Sequence, residues 1–158
     1  DFVVAATQDD IEYEREKSDE ESAREGRKAG SFSEDYLETL AVYRQISTKM
    51  LDYDTFMMHG AAIAAGGKAY VFMAKSGTGK TTHINNWLKM IPESFVVNGD
   101  KPLIDAKNLL VYGTPWSGKE NMNKNTAVPL GGLIILERGE VNEINRITNI
   151  RNSISIYS

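Results

Sequence analysis

"AAIAAGGKAYVFMAKSGTGKTTH", residues 61–83 of a chain of 158, decides how this protein is built. Its first half holds two apolar runs of strand length separated by Gly66-Gly67. Paired glycines tolerate the positive backbone angles of a two-residue hairpin turn, so the two runs are expected to be antiparallel neighbours. The second run, Ala69 to Met73, feeds straight into a loop that carries Gly77, Gly79, Lys75 and Lys80. A fixed positive charge on a tight loop calls for something negative to meet it. Beyond the loop, Ile84, Trp87, Leu88 and Ile91 recur on one helical face, and the pattern ends before Pro92. The stretch therefore predicts hairpin, glycine-rich loop, helix.

The loop approximates the Walker A pattern of glycine, four residues, then Gly-Lys-Ser/Thr. Ala74 stands in the place of the first glycine, and Gly79-Lys80-Thr81 complete the pattern. Small residues let successive backbone N–H groups turn inward, and the following helix adds its positive end, so a polyphosphate is wrapped in donors. On this reading Ser76, Gly77, Thr78, Gly79, Lys80, Thr81 and Thr82 bind the phosphates of a nucleoside triphosphate, most simply ATP. Lys80 would reach the β and γ phosphates, and the Thr81 hydroxyl would hold Mg2+.

Outward from this core the signals weaken. Residues 1–7 are rich in Val and Ala and are read as a short buried strand. Thr7 followed by Asp10 is a helix-start pair. The next stretch, to a stop at Gly30, is helix-compatible but almost devoid of apolar residues, which suits a solvated helix or a partner-docking one. Ser33 can cap a second helix whose Tyr36, Leu37, Leu40, Tyr43, Ile46, Met50 and Leu51 form a stripe expected to pack into a core. After the loop's helix, "SFVVNGD", "LLVYGTP" and "LGGLIILERG" are read as strands. The chain opens in mid-strand without a methionine and stops in the strand-like "SISIYS". A longer parent chain is therefore expected, with the core truncated at its C-terminal end.

Composition bounds the function. Apolar residues make up 41% and charged ones 25% of the chain, as in a globular protein rather than a disordered one. No apolar run approaches the roughly 18 to 20 residues that span a bilayer, so no membrane partner is expected. Zero cysteines remove disulfides and thiolate zinc sites, and a cytoplasmic address is the economical reading. The net charge of -4 is uneven: residues 9–38 hold 12 acids and 5 bases, residues 39–158 hold 9 acids and 13 bases. The basic half carries the loop, which suits an anionic ligand but lacks the basic and aromatic stripes of a nucleic-acid binder.

The hairpin separates this loop from that of the commonest P-loop proteins, in which a helical crossover delivers the strand before the loop. Here the sequence resembles the HPr kinase/phosphorylase and phosphoenolpyruvate carboxykinase group. "SGTGKTT" is similar to the carboxykinase loop. The order "HGAAI", hairpin, loop, helix, then a strand ending in an acid is similar to HPr kinase, over about residues 56–140. The resemblance implies an α/β fold: a P-loop nucleotide-binding core on a mixed, largely antiparallel sheet, flanked by helices. Residues 1–55 would pack on it as a strand and two helices, and 56–158 would form the kinase-like core. It also implies ATP and Mg2+ as cofactors, an ATP-dependent kinase acting on a protein or peptide serine or a small metabolite, and homo-oligomers, although no stripe in the sequence marks an interface.

In that group an acidic pair ends the strand after the loop's helix, binds Mg2+ and takes the proton of the attacking hydroxyl. "VVNGDKPLI" matches one acid at Asp100 and has Gly99 in place of the other. The alternative is that Asp100 only caps a turn. The resemblance puts His59 beside the catalytic acid, where it would orient Asp100; otherwise it is a hydrogen-bonded histidine near a turn. His83 reads as packing or solvent-facing. In "TPWSGKE", Lys119 could neutralise a transferred phosphoryl and Glu120 could supply the missing Mg2+ ligand, against a plain polar connection with a half-buried Trp116. Arg138, in "LERGE", is read as a surface ion pair or a substrate contact. Two rival functions stay open. Gly99 and Ala74 favour a nucleotide-binding sensor that has lost turnover. Carboxykinase chemistry on an oxo acid needs several arginines, of which the loop-bearing half offers only Arg44, Arg138, Arg146 and Arg151.

Overall fold

A computed structural model describes residues 2–24, 26, 30, 32–75 and 77–147. Ser76, the terminal "SISIYS" stretch and Arg151 lie outside the described residues. The chain divides into two compact units, Asp1–Phe56 and Met57–Ser158. Among the described residues there are three α-helices, one 3-10 turn and seven strands. No helix among them is long and apolar enough to cross a membrane.

In the first unit, helix α1 spans Gln8–Arg24 and α2 spans Glu34–Met50. The Thr7–Asp10 pair starts α1 as expected: the Thr7 amide and hydroxyl donate to Asp10 Oδ2 at 3.1 and 2.7 Å, and the Asp10 amide returns a bond to Thr7 Oγ1 at 3.3 Å. Ser33 caps α2 by accepting from the Tyr36 amide at 3.3 Å. Helix α1 has no apolar stripe, and its seam with α2 is ionic instead. Arg44 donates through Nε to the buried Glu14 at 2.6 Å and through Nη2 to Asp10 at 2.7 Å, and its guanidinium lies 4.7 Å from the centre of the Tyr13 ring. These bonds take Asp10 to a pKa of about 2, the Thr7 hydroxyl bond contributing most.

Two expectations fail in this unit. Residues 2–7 form no strand, and Val3 is 87% exposed. Apolar β-formers do not make a strand without a ladder partner for their backbone. The stripe on α2 is only partly core: Leu37 and Ala41 are buried, but Tyr36 stays exposed against Phe32, and exposed Leu51 belongs to the 3-10 turn Leu51–Tyr53.

The strands are β1 (Thr55–Met57), β2 (Ala61–Ala65), β3 (Lys68–Met73), β4 (Phe95–Asn98), β5 (Leu103–Asp105), β6 (Leu110–Tyr112) and β7 (Ala127–Ile135). They follow the order β1-β5-β6-β7-β3-β2-β4 in one mixed sheet. The pair β3–β7 is parallel; β2–β3, β2–β4, β5–β6 and β6–β7 are antiparallel. The sheet is thus α/β in setting and largely antiparallel. Gly66 and Gly67 turn the β2–β3 hairpin with φ of 57° and 77°. Strands β1 and β5 were not foreseen. "FMMHGAAI" breaks at His59-Gly60 into two strands, and β5 is only three residues long.

Helix α3, Lys80–Met90, lies on β2, and its Trp87 packs against Tyr70 and Phe72 of β3. Ile84 joins Ala61, Ile63 and Phe72 in the core, with Tyr70, Trp87, Val96, Ile134 and Leu136 packed around them. Each large side chain buried there stabilises the unit by about 1.5–3 kcal/mol. Leu88, expected on the same face, is exposed at 38%. His83 takes part instead, 4.6 Å from the Phe72 ring centre, so the buried arc of α3 is turned toward His83 and away from Leu88.

Candidate functional site

The topology gathers the candidate residues. β3 and β4 both run antiparallel to β2, and β7 runs parallel to β3, so β3, β4 and β7 share a direction. Their C-terminal ends therefore lie at one end of the sheet, and β2 starts there. The glycine-rich loop follows β3, "NGDK" follows β4, "LERG" follows β7, and His59-Gly60 precede β2. Loops beyond the carboxyl ends of such strands are where α/β sheets bind ligands.

Both glycines of the loop have a positive φ. Gly77 and Gly79 have φ of 77° and 116°, and Gly79 is the N-cap of α3. A Cβ on either would meet nothing within 4 Å, so the backbone angle rather than space demands glycine there. Lys80 opens α3, and its Nζ donates to the carbonyl of Ala74 at 2.9 Å, so the side chain folds back along the loop. Thr81 and Thr82 are exposed on the first turn. Arg138 reaches the loop from β7: its Nη2 donates to Gly77 O at 2.6 Å, beside the Leu136 amide bond to Met73 O at 2.8 Å. Arg138 is therefore a loop contact, which the surface ion-pair reading missed.

Residues 58–60 run antiparallel to 100–102, joined by Met58 N to Pro102 O at 3.0 Å and Gly60 N to Asp100 O at 2.8 Å. This ladder sets His59 beside Asp100, with Nδ1 3.5 Å from Oδ1. Desolvation pulls the His59 pKa below its ordinary value, Asp100 opposes that, and the Lys80 and Lys101 charges add to the lowering. His83 is also held down by burial, and it accepts a bond from Trp87 Nε1 at 3.1 Å, which fits packing rather than chemistry.

Asn98, which sequence reasoning passed over, organises the turn. It is fully buried, and its Oδ1 accepts from the Asp100 and Lys101 amides at 2.9 and 2.6 Å. Its Nδ2 donates to Thr114 O and Oγ1 at 2.9 and 3.0 Å. The first pair is the signature of an Asx turn, legible in "NGDK". The second spans 16 residues and has no local signal.

Backbone crowds position 99, where the resemblance led one to expect an acid. A Cβ on Gly99 would lie 2.9 Å from the Ser117 carbonyl oxygen and 3.3 Å from that of Met122. The Gly99 amide donates to Met122 O at 2.8 Å, and Lys124 N donates to Val97 O at 3.1 Å, so residues 122–124 close the free edge of β4. Gly118 in turn covers Asp100: its Cβ position is 3.1 Å from Asp100 Cβ. Ser117 is buried and accepts from Asn123 Nδ2 at 2.9 Å, while Lys119 and Glu120 are exposed on the turn that follows. His59 is thus set beside Asp100, with the Lys80 charge near enough to act on the imidazole, while Glu120 is exposed. Among the described residues no group of three or more His, Cys, Asp or Glu is placed to hold a metal ion.

Compared with known proteins, the chain matches no protein-family model and no curated protein.

Proposed function

We propose that this chain is an ATP-dependent phosphotransferase of the HPr kinase-like type, a P-loop core on a largely antiparallel sheet. It acts in the cytoplasm on the hydroxyl of a peptide or protein serine, or of a small metabolite. The carrying observation is the convergence, at one end of the sheet, of a left-handed glycine capping α3, Lys80, and the Asp100 carboxyl with the His59 ring 3.5 Å away. Phosphoryl transfer asks mainly for positioning and charge stabilisation, and these groups supply both. Amides of 77 and 79–82 and the Lys80 side chain bind the phosphates, the Thr78 amide being taken by Lys75 O at 3.2 Å. Asp100 accepts the proton of the attacking hydroxyl, and His59 holds the carboxylate in place.

The donor set suits Mg2+, which keeps several waters and takes one or two carboxylates plus phosphate oxygens. Thr81 and Asp100 would hold it, and the ion would neutralise charge on the transferring group; Glu120, expected as a further ligand, is exposed on the turn after Gly118. The structure favours this reading over oxo-acid chemistry in one respect: Arg44 is committed to Glu14 and Asp10, which leaves few arginines for a dicarboxylate.

Lys80→Ala is expected to weaken nucleotide binding at least tenfold by calorimetry, since it removes a charge-assisted phosphate contact. Equal affinity in the two proteins would refute the assignment. The second reading, a nucleotide sensor without turnover, draws on Gly99, whose surroundings leave one carboxylate at the site. Nucleotide binding together with a complete lack of transfer from labelled ATP would select it.

A further inference from the structure

Asn98 uses all of its hydrogen-bonding capacity, and it does so between two loops. Its oxygen fixes the two amides of the turn that presents Asp100, and its nitrogen holds both the carbonyl and the hydroxyl of Thr114. The Thr114 hydroxyl passes the connection on, donating to Lys101 O at 2.7 Å and lying 3.3 Å from Trp116 O. Thr114 is itself buried, and four residues later Gly118 approaches Asp100 so closely that a Cβ there would lie 3.1 Å from Asp100 Cβ. The turn and the loop are therefore closed into one ring: 98 to 100 along the chain, 100 to 118 by close approach, 118 to 114 along the chain, and 114 to 98 by hydrogen bonds. An aspartate at 98 could make the turn but would face the Thr114 carbonyl with an oxygen; only the amide does both.

We infer that Asn98 and Thr114 are positioning residues that tie the aim of the Asp100 carboxylate to the seat of the 114–118 loop. The loop that carries Lys119 and Glu120 and the carboxylate then move as one body. The inference rests on the phosphotransferase reading for its consequence, though not for its geometry.

Thr114→Val preserves shape and removes the hydroxyl, and Thr114→Ser keeps the hydroxyl as the rescue. With an active wild type, Thr114→Val is expected to lower kcat by about 10- to 100-fold, as loss of an outer-shell contact does. Metal-free ADP affinity should stay within about twofold, because the loop amides and Lys80 are untouched, and Thr114→Ser should restore kcat. Unchanged kcat in Thr114→Val, or a loss of ADP affinity in step with kcat, would overturn the inference. Amide hydrogen exchange at Asp100 and Lys101 gives a readout independent of activity. Faster exchange at both in Thr114→Val supports the tie, and unchanged exchange refutes it. If wild type transfers no phosphoryl at all, the functional reading fails, and the exchange result still decides the tie.

Discussion

Two turns follow one another along the chain, and they start identically. In "NGDK", 98–101, the side-chain oxygen of Asn98 accepts from the amides two and three residues on, at 2.9 and 2.6 Å. In "DAKN", 105–108, Asp105 does the same to Lys107 and Asn108, at 2.9 and 2.8 Å. They differ at the second heteroatom. Asp105 has another oxygen, which can only accept, and Asn108 Nδ2 satisfies it at 2.7 Å within the turn. Asn98 has a donor, and it reaches Thr114. The first oxygen builds the turn; the second atom decides whether the turn belongs to itself or to a site. The turn that is tied outward is the one that presents Asp100.

The largest effect should come from the group that the tied turn presents. On the proposed phosphotransferase reading, Asp100→Asn is expected to lower phosphoryl transfer by about 10² or more, the usual loss when general-base and metal help go together. Metal-free nucleotide affinity should barely change. Full transfer in this variant, followed with labelled ATP, would place the chemistry elsewhere and reduce the two turns to equal structural status.

Gly99→Asp sharpens the comparison from the other side, by installing the acid that the resemblance leads one to expect. Its Cβ would press on the carbonyl oxygens of Ser117 and Met122. Both are backbone, so neither can swing aside, and overpacking of this kind costs about 1–3 kcal/mol. Urea unfolding should show that loss, and transfer should fall rather than rise. A Gly99→Asp protein as stable as wild type and more active would mean that the site lacks an acid by accident.

How much of this was legible follows from the range of the interactions. The hairpin, the loop and α3 come from near neighbours in sequence, and residues 61–83 declared them. The His59–Asp100 approach was expected from resemblance, and the 58–60 and 100–102 ladder is its physical cause. The Asx turn at Asn98 could have been read from its four residues. The Thr114 tie, the carbonyls facing Gly99 and the Arg138 bond to Gly77, 61 residues away, could not, because each depends on sheet order. The ionic seam of α1 escaped for a related reason. Its partner Arg44 is 30 residues from Glu14, and a polar helix offers no periodic signal of a docking face.

The smallest effect belongs to the self-contained turn. The Asp105 carboxylate is held below the ordinary range, first by the Asn108 amide, then by the Asn108 side chain, against an opposing push from burial. A depressed folded-state pKa means that the charged form is favoured by folding. Its stabilisation is complete above the ordinary value of 3.8 and is lost as pH falls from there through the folded value. Asp105→Asn keeps one acceptor oxygen, so the turn should survive with a modest loss of stability near neutral pH. That deficit should shrink below about pH 4, where wild type loses its own advantage and the amide, which does not titrate, loses nothing. Asp10 also titrates in acid, at about 2, but it is common to both proteins and cancels in the difference. Nucleotide affinity and transfer should be unchanged at neutral pH. If Asp105→Asn lowered kcat as Thr114→Val is expected to, the turn would be tied to the site as well, and the second atom would not be what separates the two.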